Sequence, residues 1–234
     1  MVVHAALAVL LTRVSGSEDV VVGTPIAGRG HAALDDVVGM FVNTLVLRTP
    51  VPAGTSFAEL LTDVRSVDLG AFEHADLPFE RLVDELAPER STAHSPLFQV
   101  LLEFQNATRT HLELPGLTAR SLDVDLDVAK FDLQVSLVER VDEQGVPVGI
   151  SAGVRYATDV FDRASVEGFA ERFVRVIEAV TTDPAAPVGD VDILDAPERE
   201  LVLAAAYRPG TDVAPLSLVD LFDRAVASDG EAVA

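Results

Sequence analysis

VVVGTPIAGRGHAALDDVVGMFVNTLVLR, residues 20–48, is the stretch on which the fold turns. Its first part, Val20 to Thr24, is a run of the buried-strand type, broken by Pro25 and by Gly28 and Gly30. Val37 to Leu47 reads as a second, longer strand, apolar on both faces through much of its length. Upstream, Ala5 to Val14 reads as a helix stopped at the turn Ser15-Gly16-Ser17. That helix is apolar all round and belongs inside a larger body, which sets the expectation that the chain begins part-way through a domain.

Downstream the period changes. Phe57, Leu60, Leu61, Val64 and Phe72 lie near one helical face behind the N-cap candidate Ser56, and Pro78 opens a short helix, PFERLVDEL. Leu97 to Phe104, Phe131 to Val138 and Val146 to Tyr156 read as strands. Ala164 to Thr181 is a strong helix with the stripe Val166, Phe169, Phe173, Val174, Ile177 and Val180. After Thr182 a segment punctuated by proline and aspartate leads into a short helix at Pro197–Ala206, a linker at Tyr207–Pro215 and a last helix, Leu218–Ala227, which cannot bury itself alone. Interleaved strands and helices give an α/β class with a mixed sheet.

Composition narrows the partners. The 234 residues carry a formal charge of -21, and only Lys130 among the 17 basic residues is not arginine. A phosphate-neutralising patch is missing, so the expectation is no nucleic acid. The absence of cysteine excludes disulfides, thiolate nucleophiles and Cys-ligated zinc. The apolar run Ala5–Leu11 is too short to span a bilayer, so the chain reads as cytosolic and without a membrane partner.

Candidate chemistry is sparse. His74, Asp76 and Glu80 in HADLPFE could form an acid–base or metal cluster. The alternative is a helix-entry turn in which Asp76 satisfies free amides, and the lack of a second histidine or HExxH spacing favours it. Asp123, Asp125 and Asp127 look like a calcium loop, but Val128 and Gln134 stand where glycine and glutamate are required. Alternation with Leu122, Val124, Leu126 and Val128 instead reads as a strand with one carboxylate face. The five histidines are isolated from one another, and no nucleophile elbow, Walker loop or dinucleotide fingerprint is present. No metal and no catalytic residue is assigned.

The ordered blocks VVVGTPIAGR, VVGMFVNTLVLR, HADLPFERLVDELAPER, HSPLFQVLLEF, AKFDLQVSLVE and YATDVFDRASV resemble the second half of a nonribosomal peptide synthetase condensation domain. On that resemblance residues 1–197 are the C-terminal lobe, 198–215 a condensation–adenylation linker and 216–234 the beginning of an adenylation domain, as if cut from a multidomain assembly line. The resemblance implies a chloramphenicol acetyltransferase-like lobe, with a tunnel between it and an N-terminal lobe that carries HHxxxDG. No cofactor is bound directly. Phosphopantetheine arms of donor and acceptor carrier proteins bring the thioesters, and the adenylation domain is the neighbour.

By motif position Arg29 matches the arginine of GTPxAGR and is the candidate to pair with the aspartate of the histidine motif. Asn43, Asp76, Pro78, Phe79 and Glu80 match positions read as packing and tunnel-shaping. His94-Ser95-Pro96-Leu97 departs from the family's HNPL, leaving a polar role for that asparagine open. FVNTLVLR and DLPFE favour peptide-bond formation over epimerisation; cyclisation is the less favoured alternative. HHxxxDG does not occur in the sequence. The expectation is therefore an acceptor-side half, inactive alone, with a docking or scaffold lobe or a truncated fragment as alternatives. A stand-alone acyltransferase would need the missing motif.

Overall fold

The computed structural model describes residues 1–30, 32–34, 36–87, 95–105, 116–117, 128–142, 144–206 and 217–228. They fall into two compact units, Met1–Ile193 and Leu194–Ala234.

In the first unit α1 (Val2–Ser15) buries seven consecutive residues, His4 to Leu10, as its all-round apolar sequence requires. It stops at Gly16, whose φ of 73° suits glycine and whose N–H donates to the Thr12 carbonyl at 2.9 Å. β1 (Asp19–Ile26) pairs antiparallel with β2 (Asn43–Pro50), from Asp19↔Pro50 to Ile26↔Asn43. The strand expected over Val37–Leu47 thus begins only at Asn43. The reason is register: β1 ends at Ile26, so residues 37–42 have no ladder to join. They run outside the sheet, with Val38 100% and Met40 88% exposed.

α2 (Phe57–Glu73) starts from the expected cap. Ser56 Oγ accepts the Glu59 N–H, while the Glu59 carboxylate accepts first the Ser56 hydroxyl, at 2.7 Å, and then the Ser56 N–H; these two bonds to the carboxylate hold it below its ordinary value. Phe57, Leu60 and Val64 are buried as expected, whereas Leu61 is half-buried and Phe72 exposed. Asp68 takes the next inward place. α3 (Phe79–Leu86) follows Pro78 by one residue.

β3 (Val100–Gln105) begins later than Leu97. Leu97 has a φ of 68° in a three-residue turn closed by the Phe98 N–H on the Pro96 carbonyl at 2.9 Å, a conformation no strand accommodates. β4 (Leu133–Val141) and β5 (Pro147–Tyr156) form a hairpin with a register shift at Arg140/Val141. α4 (Arg163–Thr182) is capped by Asp162, whose carboxylate accepts the Ser165 N–H at 2.7 Å and is thereby held below its ordinary value. Its buried stripe is Val166, Phe169, Phe173, Val176 and Val180. Val174, expected inside, is exposed; Val176 replaces it at regular three-and-four spacing, and Ile177 is half-buried.

The sheet order is β2-β1-β3-β4-β5, parallel at β1/β3/β4 and antiparallel at both outer pairs. The α/β expectation with a mixed sheet holds. Period-2 alternation separates the two faces. Val20, Val22, Leu45, Leu47, Leu133, Val135 and Leu137 are buried on the face where α1, α2 and α4 pack. Val21, Val46, Gln134, Ser136 and Val138 on the other face are only half-buried, so among the described residues that face is partly open, although Leu101 on it is buried. Phe98 covers part of it, its ring lying against Gly23 and against Phe79 and Phe131 at centroid distances of 5.7 and 5.2 Å.

In the second unit, α5 (Ala196–Ala206) opens with reciprocal bonds between Asp195 and Glu198, and α6 (Leu218–Ser228) with the same arrangement of Ser217 and Asp220. Leu218, Val219, Leu221 and Phe222 of α6 are exposed, in keeping with a helix that cannot bury itself alone. The alternating stretch Leu122–Leu126, with Asp127, lies outside the described residues.

Candidate functional site

The connection between β1 and β2 is tied from within. Gly28, at φ 64°, lies so close to the Phe41 backbone that a Cβ would overlap the Phe41 carbonyl oxygen. Arg29 Nη1 donates to the carbonyls of Leu34 and, at 2.9 Å, of Val37. Its guanidinium carbon stands 4.3 Å from the centre of the Phe41 ring. Arg29 thereby gathers the turn, the short 3-10 segment Ala32–Leu34 and the apolar run into one loop. Val37, Val38, Met40 and Val42 point their side chains away from the body.

Asn43 joins two distant sequence blocks. Its side-chain nitrogen donates to the carbonyls of Ala75 and Leu77 at 2.9 and 2.8 Å, and its oxygen accepts the Phe79 N–H at 3.0 Å. The amide that Asp76 was expected to satisfy is therefore capped by Asn43, a residue 36 positions earlier. Asp76 is exposed, and Pro78 occupies the N-cap without a side-chain bond of its own. Phe79 turns its ring edge to Phe98, and Glu80 is exposed in the first turn of α3, where a carboxylate suits the helix end. Asn43, Ala75, Leu77 and Phe79 thus form one junction, while the bonds of Arg29 described above stay within its own loop.

Asn43→Ala is expected to lower unfolding stability by about 2–3 kcal/mol, because it strips a half-buried helix start of its cap and two carbonyls of their donors. Asn43→Asp, which keeps the cap acceptor, should fall between. Urea unfolding of the three proteins checks the order; an unchanged midpoint for the alanine variant would remove the junction's structural role.

His74 does not converge with Asp76 and Glu80 on a ligand. Its Nδ1 donates to the Gly70 carbonyl at 2.8 Å, closing the end of α2. Among the described residues no three His, Asp or Glu side chains are grouped to hold a metal.

Two polar clusters escaped the reading by motif. On the helix-covered side, His4 Nδ1 lies 2.9 Å from Asp68 Oδ1 and His4 Nε2 lies 3.5 Å from Thr49 Oγ1, with all three residues buried. The signal was present: Asp68 continues the Leu60–Val64 stripe at helical spacing. On the open face, Glu103 Oε2 accepts from Ser136 Oγ at 3.0 Å and from Gln134 Nε2 at 3.3 Å, and Oε1 accepts from Gln105 Nε2 at 2.9 Å. Here the clue was Gln134 and Ser136 alternating with Leu133, Val135 and Leu137. Beside Ser136 an open groove of about 690 Å³ runs over Gly153, Arg155 and Tyr156 to Thr158 and Asp159, with Val128 and Ala129 at its margin.

Residues 1–203 match the family model described as condensation domain. The chain is 48% identical over 199 residues to an isonitrile lipopeptide synthase of Mycobacterium tuberculosis (strain ATCC 25618 / H37Rv), covering 85% of this chain and 8% of that protein. It is 41% identical over 235 residues to a dimodular nonribosomal peptide synthase of Bacillus subtilis (strain 168), covering 100% of this chain and 10% of that protein. The chain therefore spans a small part of the curated relatives it matches. Among solved structures it superposes on the X-domain from teicoplanin biosynthesis with a TM-score of 0.76 and 33% identity, over 82% of this chain and 43% of that chain. With the first condensation domain of the calcium-dependent antibiotic synthetase the TM-score is 0.64 at 26% identity, over 83% and 41% of the two chains. The fold is the chloramphenicol acetyltransferase-like one expected from the motifs.

Proposed function

Because this chain belongs to the condensation-domain family of nonribosomal peptide synthetases, we propose that it is the acceptor-side C-terminal lobe of such a domain, which in the complete enzyme joins carrier-bound thioesters through a peptide bond. The observation that supports this most directly is the open sheet face, with its groove and the protruding apolar loop Val37–Val42. A monomer gains nothing from exposing such a run, whereas a second body could bury it. In this reading the loop gathered by Arg29 faces a histidine-bearing lobe, and Arg29 pairs with the aspartate of that lobe's HHxxxDG motif. Asn43, Asp76, Pro78, Phe79 and Glu80 support the tunnel wall, with Asn43 fixing the turn that carries the other four.

The chemistry assigned to the complete domain is attack of an acceptor amine on a donor thioester carbonyl. This chain's share is orientation, which by itself can supply much of an acyl-transfer rate. Donor and acceptor carrier proteins present their phosphopantetheine arms, and α5 with α6 leads toward the adenylation domain. Among the described residues no helix is long and apolar enough to cross a membrane.

A condensation assay with loaded donor and acceptor carrier proteins tests the assignment. The chain alone is expected to yield no product, and addition of a separately made histidine-bearing lobe is expected to yield dipeptidyl thioester. Arg29→Ala should reduce the complemented rate by about tenfold or more, the scale of a lost charge-assisted contact. Dipeptide from the chain alone would rule out the half-domain reading. Tight association with that lobe but no turnover would favour a docking or scaffold role.

A further inference from the structure

Glu103 sits near the middle of the open face, in register with Ser136 across the parallel β3–β4 pair. Its three hydrogen-bond donors among the described residues are neutral: a hydroxyl and two amides. Among the described residues no Lys, Arg or His nitrogen lies within 4.0 Å of it. Among the described residues Glu103 Oε1 has a single donor, the Gln105 amide, which leaves a lone pair for a further one, and the half-buried carboxylate is paired with no cation.

Access comes from the neighbouring strands. Across the β4–β5 pair Ser136 stands opposite Gly153, and a Cβ added at Gly153 would meet nothing within 4 Å. The missing side chain leaves the groove open beside Ser136. Arg155, opposite Gln134, places a positive charge along the same groove. The polarity therefore changes along the face, from the Glu103 carboxylate to the Arg155 guanidinium.

We propose that Glu103, held by Ser136, Gln134 and Gln105, is a recognition point for a primary ammonium group on a ligand whose chain lies in the groove over Gly153. Electrostatics favours such a group at the carboxylate, with oxygen-rich parts of the ligand toward Arg155. The inference rests on the reading that this face is turned to the carried substrate. Two sources share the chemistry: the α-ammonium of an aminoacyl group and the ω-ammonium of a basic side chain.

Three pantetheine probes distinguish them when titrated into the full chain by calorimetry: one bearing glycine through a stable amide, its N-acetyl derivative, and one bearing Nα-acetyl-ornithine. Expected is binding about tenfold tighter for an ammonium-bearing probe than for the N-acetylglycyl probe, the scale of a hydrogen bond to a charged group. Preference for the glycyl probe assigns the α-ammonium, and for the ornithyl probe the side chain. Glu103→Gln, which keeps the shape, should erase the preference. Gly153→Leu, which has room on the fold, should weaken all three probes. Equal binding of charged and acetylated probes, or a preference unchanged in Glu103→Gln, overturns the role of Glu103 and leaves the open face as a substrate wall. No binding of any probe overturns both.

Discussion

Asp68→Ala is expected to lower the unfolding free energy by about 3 kcal/mol or more. Asp68 is 4% and its partner His4 2% exposed, so truncation leaves a buried imidazole nitrogen without its carboxylate partner. Thr49 Oγ1, 3.5 Å from the other ring nitrogen, is too distant to compensate. Asp68→Asn retains an oxygen at the same place and should be much milder. The double variant His4→Leu with Asp68→Leu should recover most of the loss, since an apolar pair leaves nothing unsatisfied. Against a typical stability of about 5–15 kcal/mol, the single variant should show a clearly lower urea midpoint at unchanged slope. If both single variants and the double variant unfold together with wild type, the buried pair does not stabilise the fold.

Gly23→Val should be comparably damaging, for a steric reason. Gly23 is in β1, paired on both sides, and a Cβ there would overlap Cε2 and Cζ of Phe98. That ring is 1% exposed and wedged between Phe79 and Phe131, so it cannot swing aside without breaking both aromatic contacts. Overpacking of this kind costs about 1–3 kcal/mol for small additions, and valine adds more than one methyl. Phe98→Leu alone should also destabilise, but combined with Gly23→Val it should restore part of the loss. A double-mutant cycle with additive effects would show that the ring and the glycine are independent.

Motif and periodicity made the sheet, α1, the Ser56 cap and the α/β class legible. What they missed follows from distance in sequence. Asn43 is read locally as part of an apolar strand, yet its work is to cap a helix at Phe79. His4 looks isolated because its partner is 64 positions away. The run Val37–Val42 reads as a strand because apolar residues on both faces suggest burial, and hydropathy does not distinguish a buried run from an exposed one. Leu97 reads as the start of β3 because nothing in HSPLFQV announces a positive φ at a leucine. Of the open-face cluster, the alternation around Gln134 and Ser136 shows which side they share, but only strand order brings Glu103 beside them.

Among the described strands β5 lies at the end of the sheet, and it bears Val148 and Ile150, 60% and 51% exposed. A flat strand of this composition would be a template on which unfolded copies could add, one ladder at a time. The register shift at Arg140/Val141 and the φ of 144° at Gly149 bend the strand near its start, so an incoming chain would find aligned amides and carbonyls only over its remaining length. Straightening the kink with a β-branched residue at Gly149 is therefore expected to lengthen the edge on which a second copy could add.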